Sequence, residues 1–390
     1  MLTASENFLK ALQNPIKELY IKLEFYTNTN QYLFEITKLV TQNDLGSLSI
    51  ALDRPIRRSF SFVLDNSDGK FTFGENKIVW LNKLVKLSLG LKLNDNSIEY
   101  VPQGVFRLTN LSDSNGIDGK KAFITGVDKM SKYTDQQGQF VNQLTISAGA
   151  NIATAIKIIA NDETMFNFDT IIATVPYEIT FQAGSSKYDA MKQLADLAMC
   201  QLYYDEYGYM RLKNINLNDI SNYPPVWSFI YNDKSERFYA GNIRKLDTNN
   251  LSNHILVVGG SSQTGIVSYE LKVDETDPIW TGNSYSIQQI GDYLYMWNNG
   301  NPDPVITTVD ECKYRAKWLL MKKLGYSQKV SLNISPFYLL DVGDIIQIED
   351  SSNDVTGRYL IESINMPLQP QLMSIECAKE IQIISDWNFI

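Results

Sequence analysis

The stretch that decides the fold is RPIRRSFSFVLDNSDGKFTFGENKIVW, residues 54–80. After two adjacent arginines, the residues fall into two alternating sets, with Arg58, Phe60, Phe62 and Leu64 in one and Arg57, Ser59 and Ser61 in the other. Successive side chains of a strand point to opposite faces, so this alternation predicts a β-strand with one buried face. The run ends in Asn-Ser-Asp-Gly, residue types that favour tight turns. The stretch therefore predicts a strand that is followed by a hairpin turn.

The two arginines are the first candidates for a functional site. Because a strand turns Arg57 and Arg58 to opposite faces, they do not form a joint anion-binding site. A nucleic-acid site would need more basic residues and stacking aromatic rings on the same face, and here Asp53 and Asp65 lie nearby. One arginine could pair with a partner subunit while the other stays solvated.

Length, composition and charge limit the function classes. The chain of 390 residues has room for two or three domains, and its 44% apolar and 20% charged residues are ordinary for a folded protein. The net charge is −9, which argues against sequence-independent binding of nucleic acid. The first residues, MLTASENFLKALQNP, lack the basic and apolar regions of a secretory signal, and no run is apolar enough to span a membrane. We expect a protein that is made in a cytoplasm and stays soluble.

The pattern of residues changes twice along the chain. Up to about residue 135, short alternating segments with Asn, Asp and Gly between them are typical of a barrel or sandwich. Residues 136–220 show helical spacing, with Ser186 placed to cap a helix, and the segment YYDEYG predicts a hairpin. Two prolines in NYPPVWS mark the next boundary. The predicted fold class is α+β, mainly β.

The last region, residues 221–390, is again rich in predicted strands. One long helix over residues 308–324 interrupts them, with Thr308 and Glu311 as its capping box and Gly325 at its end. Before this helix, and after the preceding predicted strands, lies a stretch rich in Tyr, Trp and Asn, residues 278–304. We interpret that stretch as an extended loop that contacts partners.

Motifs for catalysis, metals or cofactors are scarce. His254 is the only histidine, and its place at a strand start predicts an ordinary polar residue. Cys200, Cys312 and Cys377 form no CxxC pair and are interpreted as small packing residues. The segment VVGGSSQTG lacks the Lys-Ser/Thr of a phosphate loop. We predict no catalytic residue, no cofactor and no metal.

Acid pairs are the one catalytic arrangement that sequence leaves open. Asp205 with Glu206, and Asp341 with Asp344, could serve a glycoside hydrolase, which needs two carboxyl groups. Both pairs fall at predicted turns, where acids are common for conformational reasons. Turn formation is therefore the preferred interpretation of both pairs.

Three segments, in the right order, resemble parts of phage tail hub proteins. IRRSFSFVLDNSDGKFTFGENKIVWLNKLVKLSLGL with VPQGVFRLTNLS resembles the N-terminal region of that family. YDAMKQLADLAMCQLYYDEYGYMRLKN looks like its small α+β insert, although YYDEYG only approximates the spacing of the family's hairpin. SPFYLLDVGDIIQIED with GRYLIESINMPL and LMSIECAKE is similar to its closing barrel strands.

The resemblance implies an architecture and a role in assembly. It implies two tail-tube-type β-barrel domains, residues 1–135 and 221–390, with a small α+β domain, residues 136–220, inserted between them. It also implies a homotrimer whose pseudo-sixfold ring adapts a sixfold tail tube to a threefold central spike and lines the channel. Arg57 and Arg58 then become candidates for contacts between subunits or with the tube.

The resemblance also implies partners and a location. The partners are the tail tube or distal tail protein, the central spike, the tape-measure protein and other baseplate components. Neither sequence-specific nucleic-acid binding nor membrane insertion is implied. The location is the virion tail, assembled in the bacterial host cytoplasm. Two alternatives stay open: a tail-associated peptidoglycan glycosidase that uses the acid pairs, and a host-carbohydrate-binding tail module that uses the stretch from Trp280 to Trp297.

Overall fold

The helices and strands come from a computed structural model. It describes residues 1–41, 45–117, 119–134, 136–214, 223–231, 238–246, 248–249, 251–261, 265–303, 306–324 and 327–379. The helices in this part are α1 (Glu6–Leu12), α2 (Ser131–Thr134), α3 (Ile152–Ile159), α4 (Lys187–Leu197), α5 (Ile287–Ile290) and α6 (Val309–Leu324). Strands far outnumber them, so the predicted fold class, α+β and mainly β, is confirmed.

The strands fall into three stretches of the chain. The first stretch contains β1 (Leu19–Tyr26), β2 (Tyr32–Leu39), β3 (Gly46–Ala51), β4 (Arg58–Asp65), β5 (Leu84–Lys92), β6 (Ile98–Gly116) and β7 (Gly119–Asp128). The second contains β8 (Leu144–Ile146), β9 (Phe166–Phe168), β10 (Ile179–Phe181), β11 (Cys200–Tyr204) and β12 (Met210–Asn214). The third contains β13 (Trp227–Ile230), β14 (Tyr239–Leu246), β15 (His254–Ser261), β16 (Gly265–Lys272), β17 (Leu294–Met296), β18 (Gln328–Ile334), β19 (Ile345–Asp350), β20 (Val355–Pro367) and β21 (Met373–Lys379).

One 13-stranded sheet joins the two ends of the chain. Its main path runs β14-β18-β21-β20-β3-β4-β7-β6-β5-β1-β2. Outside this path, β19 pairs with β20, and β13 pairs with β19. The two halves meet where β3 pairs antiparallel with β20, for example Ile50 opposite Ile364. Both residues are buried, and the surrounding core takes apolar residues from both halves. The predicted barrels thus share one sheet and one core.

Strand β4 shows the predicted alternation, but the predicted hairpin turn after it is wrong. Its burial pattern places the set that contains Phe60 and Phe62 in the core. Its partners, however, are β3 and β7, and the Asn-Ser-Asp-Gly segment leads into a long loop instead. The side chain of Asn66 accepts a hydrogen bond from the Phe71 N–H at 2.8 Å, and the Phe71 ring is buried against Phe25. The loop folds over the core because it carries apolar side chains that must be covered.

A second core belongs to the predicted insert. Its buried residues lie between Met130 and Leu212. They include residues of helices α3 and α4 and of the small three-stranded sheet of β11, β12 and β9. The predicted cap is confirmed, since the Ser186 hydroxyl accepts the Asp189 N–H at 3.1 Å. The YYDEYG hairpin is confirmed as β11 and β12. At its turn, Gly208 has φ 80° and a Cβ there would lie 2.8 Å from Val105, so only glycine fits.

A third core lies inside the region predicted as the second barrel. It is built from residues 251–324, where α6 packs on the sheet of β15, β16 and β17. The capping box of α6 is confirmed by the Glu311 N–H bond to the Thr308 hydroxyl at 3.2 Å, while Gly325 lies outside the described residues. The domain limits at residues 135 and 220 stay predictions.

Of the stretch predicted as an extended loop, residues 278–304, the described residues 278–303 contain regular elements and buried side chains. Trp280 is only 1% exposed and belongs to the third core. Farther along, β17 pairs in parallel with β15 from His254 to Leu256. The buried Trp280 ring and the pairing of β17 with β15 hold this segment against the sheet.

Candidate functional site

Arg57 and Arg58 stand at the start of β4, where a buried carboxylate fixes the backbone. Oδ2 of Asp128, at the end of β7, accepts the N–H of Arg57 at 2.7 Å and that of Arg58 at 2.9 Å. Its Oδ1 accepts the Met130 N–H at 2.9 Å. Asp128 is 1% exposed, and this burial raises the pKa of its carboxyl to about 6, although the three N–H groups favour the charged form.

Arg58 binds the two halves of the chain together. Its Nη1 donates to the Gln103 carbonyl of β6 at 3.0 Å, and its Nη2 donates to Asp341 Oδ2 at 2.5 Å. Gln103 in turn donates from Nε2 to the Tyr338 carbonyl at 2.9 Å. The Arg58 residue is 1% exposed and the Asp341 side chain 18%, so this is a largely buried ion pair. Such a pair is costly to break from one side, because the remaining charge stays buried.

Arg57 connects the same junction to the insert. Its guanidinium carbon lies 3.9 Å from the ring centroid of Tyr203 on β11, and its Nη2 donates to the Val342 carbonyl at 3.2 Å. A cation over an aromatic face is attracted by the ring's electron density, and more strongly where water is excluded. Arg57 is 5% exposed. The two arginines therefore contact all three predicted domains of the same chain.

Neither arginine is solvated, contrary to the expectation for one of them. The two side chains contact different partners, Arg58 the Gln103 carbonyl and Asp341, and Arg57 the Val342 carbonyl and the Tyr203 ring. Their expected contact with another subunit or with the tail tube stays a prediction. Their partners within the chain could not be read from sequence, because Asp341 and Val342 lie near the opposite end of the chain.

A cavity beside the junction collects three of the four acids that were weighed for catalysis. Its volume is about 400 Å³, and Glu206, Asp341 and Asp344 line it together with Arg57 and Tyr203. Burial raises the pKa of the Glu206 carboxyl and also that of Asp344. The structure thus brings together acids from both predicted pairs.

Most of these acids are already engaged by the chain itself. Asp341 binds Arg58, while Asp344 Oδ2 accepts the Asp341 N–H at 2.8 Å and its Oδ1 pairs with the amino group of Met1. Asp205 points elsewhere and accepts the N–H groups of Tyr207 and Tyr209 at 3.0 and 2.9 Å, which closes its own hairpin. These contacts are those of structural acids, as the turn interpretation predicts.

His254 makes more contacts than we expect of an ordinary polar residue at a strand start, because both of its ring nitrogens contact carboxylates. It is 6% exposed, with Nδ1 2.8 Å from Asp292 Oδ1 and Nε2 2.8 Å from Glu270 Oε1. The ring therefore ties β15 to β16 and to the segment before β17. No local signal marks this arrangement, because both acids are remote from His254 in sequence.

The three cysteines and the possible metal ligands are the remaining candidates for chemistry. Cys200, Cys312 and Cys377 are all buried and unpaired, as packing residues are. Within the described ranges, no cluster of three or more His, Cys, Asp or Glu side chains could hold a metal ion. None of the helices described above is both long and apolar enough to cross a bilayer.

Several solved structures with the same fold are tail proteins, two of them from prophages. A tail protein from Neisseria meningitidis MC58 matches with a TM-score of 0.65 and 12% identity, covering 93% of this chain and 98% of that one. The 43 kDa tail protein of prophage MuSo2 from Shewanella oneidensis matches with a TM-score of 0.60 and 11% identity, covering 92% and 98%. A prophage tail protein from Listeria monocytogenes EGD-e matches with a TM-score of 0.53 and 11% identity, covering 93% and 94%.

Comparisons of sequence alone give no such match. No protein-family model matches the chain, and no curated protein matches it either. At 11–12% identity the relationship is visible in the fold, where more than nine-tenths of the chain takes part. The predicted resemblance is confirmed at this level: the chain has the fold of phage tail proteins.

Proposed function

We propose that this chain is the structural hub of a phage or phage-like tail baseplate. It forms a homotrimer whose two sheet-rich halves per chain make a pseudo-sixfold ring. The ring joins a sixfold tail tube or distal tail protein to a threefold central spike and surrounds the channel through which the tape-measure protein and the genome pass. It does so without catalysis, at the baseplate of the virion tail, after assembly in the host cytoplasm.

The observation that carries the proposal is the continuous sheet and its two ends. Within one chain, β3 of the first half pairs with β20 of the second, so a side-by-side junction of halves already exists. At the two ends of the path, β2 and β14 each pair on one side only within the described residues. A head-to-tail contact between unlike ends closes into a ring when the rotation allows it.

Both end strands also expose apolar side chains in the single chain. Tyr32 and Leu39 of β2 are 55% and 42% exposed, and Ile243 and Leu246 of β14 are both 56% exposed. Exposed edge strands with apolar residues are ready to pair with another chain, so proteins normally cover them. A neighbouring subunit in a ring would cover both edges at once.

The charge of the chain suits such a channel. Three chains together carry −27, three times the −9 of one. An acidic wall repels the phosphate backbone, so the genome does not adhere on its way through. A neutral or basic channel in a structure of the assembled ring would contradict this part of the proposal.

The oligomeric state tests the hub directly. We expect native mass spectrometry and sedimentation of the purified chain to give a trimer. Ile243→Arg, which places a charge in the proposed contact, should shift the trimer towards monomer, because an unpaired charge is costly to bury. The matched control is Ile266→Arg on β16, a residue that is 62% exposed but outside the large sheet, and it should stay trimeric.

Two outcomes would contradict the proposal. One is a chain that stays monomeric up to its solubility limit, both alone and when mixed with its tail tube protein. The other is a trimer that Ile243→Arg leaves as intact as Ile266→Arg does. In the second case the subunit contact lies away from the β14 edge.

A further inference from the structure

A cleft separates the insert from the third core, and both of its walls carry polar groups. One wall is helix α4, where Asp189, Gln193 and Asp196 follow one another at helical spacing on the same face. The other wall is the segment from Tyr295 to Asn299. The volume is about 720 Å³, which is within the range of about 300–1,000 Å³ that small-molecule sites occupy.

Two contacts within the cleft hold the Trp297 ring of the second wall in place. Trp297 donates from Nε1 to Asp303 Oδ2 at 2.7 Å, and the guanidinium carbon of Arg315 lies 4.8 Å from a Trp297 ring centroid. Arg315 also reaches the opposite wall, where its Nη2 donates to the Asp196 carbonyl at 3.1 Å. A ring that is fixed in this way loses little freedom when a ligand stacks on it.

Unused hydrogen-bonding capacity faces the same cleft. Arg315 is 6% exposed, yet its Nη1 has no partner among the described residues. Gln193 and Asn299 have no side-chain hydrogen bond in that part of the chain either. Asn298 and Asn299 both adopt left-handed backbone conformations, with φ 51° and 55°. Two such residues in succession are uncommon, and strain of this kind gathers at binding sites.

The chemistry of the walls selects among ligand classes. Three carboxylates, Asp189, Asp196 and Asp303, face two cations, Lys192 and Arg315, and Lys192 is already paired with Asp196. An anionic ligand would therefore be repelled. An apolar ligand would displace water from the Gln193 and Asn299 amides and from the Asp189 carboxylate without replacing its hydrogen bonds.

We propose that this cleft binds a neutral saccharide. A pyranose ring has an apolar C–H face that stacks on Trp or Tyr rings, and its hydroxyls both donate and accept hydrogen bonds. Amide side chains donate and accept in the same way, and carboxylates accept two bonds at once. The cleft lies within a single chain, so the proposal is independent of the trimer and of the channel.

The test is calorimetric titration of the full chain with defined trisaccharides. The probes are the N-acetylglucosamine trisaccharide, which represents a cell-wall glycan, and maltotriose, which represents a storage glucan. We expect at least one of them to bind, and the tighter of the two identifies the source. A sulfated trisaccharide of the same length should not bind.

Two surface amides provide the variant. Gln193→Ala combined with Asn299→Gly, which tolerates the left-handed backbone at that position, removes two ligand contacts without touching a core, and we expect binding to weaken at least about fivefold. Asn167→Ala, an exposed amide on β9, is the matched control and should bind as the natural protein does. The proposal is overturned if neither neutral trisaccharide binds, if the sulfated one binds better, or if the double variant keeps full affinity.

Discussion

The ion pair between Arg58 and Asp341 allows a sharp test of how the two halves are held together. Asp341→Asn removes the charge but keeps the shape and an oxygen that can accept the Val342 N–H, now bound at 2.8 Å. Arg58, at 1% exposure, would then keep only its bond to the Gln103 carbonyl. Removing one partner of a buried pair costs about 3–5 kcal/mol. Because the Asp341 side chain is 18% exposed, we expect the lower value, about 3 kcal/mol.

The opposite variant should cost less. Arg58→Met leaves Asp341 on the wall of a cavity, where water can solvate it, and leaves the Gln103 carbonyl without its donor. The loss of one buried partner costs about 1–3 kcal/mol. The double variant has no unpaired buried charge, so it should be more stable than Asp341→Asn alone. If the two residues were independent, their destabilisations would add and the double variant would be the least stable. A double variant that is more stable than Asp341→Asn therefore indicates a buried ion pair.

Urea titration, followed by circular dichroism and tryptophan fluorescence, measures these differences. The control is Arg244→Ala, which breaks a 2.7 Å pair with Asp354 whose side chains are 43% and 86% exposed. Surface pairs of this kind contribute less than about 1 kcal/mol. The reasoning is refuted if Asp341→Asn costs no more than this control, or if adding Arg58→Met lowers the stability further.

Two further predictions concern the same junction. Arg57→Leu removes the cation from the face of Tyr203, at a cost of about 1–2 kcal/mol; amide exchange in the β11–β12 hairpin should accelerate, and unchanged exchange would argue against a role of Arg57 in docking the insert. Burial raises the pKa of Asp128 to about 6, so between about pH 4 and pH 6 the folded chain keeps a proton that the unfolded chain has released. Stability should therefore fall as the pH rises through that window, by up to about 3 kcal/mol relative to Asp128→Asn, and a difference that does not change with pH would contradict this origin.

Local patterns predicted the elements that depend on local physics. The alternation along β4, the cap at Ser186 and the capping box of α6 all rest on residues a few positions apart. For the same reason the YYDEYG hairpin could be placed from its turn residues. Such features are decided by backbone geometry and nearby hydrogen bonds, so their signal is complete within a short window.

Features that depend on distant segments could not be predicted. The turn residues after β4 suggested a hairpin, but burial of Phe71 sends that loop over the core. The carboxylate that Arg58 binds is supplied by Asp341, far along the same chain. His254 finds both of its acids in the same manner. In each case the partner is chosen by tertiary packing, which leaves no periodic trace in sequence.

The pairing of β3 with β20 also sets an order of events during synthesis. Ala51 cannot meet Ser363 until the ribosome has made nearly the whole chain, which takes about 18–73 s at about 5–20 residues per second. Until then the nascent first half carries an unfinished edge at β3 and an incomplete core. Because such an edge can pair with any neighbouring strand, two ribosomes on one message bring matching edges close together. The β3 edge, which pairs with β20 in the finished molecule, is therefore the place where a growing chain is most exposed to pairing with another nascent copy.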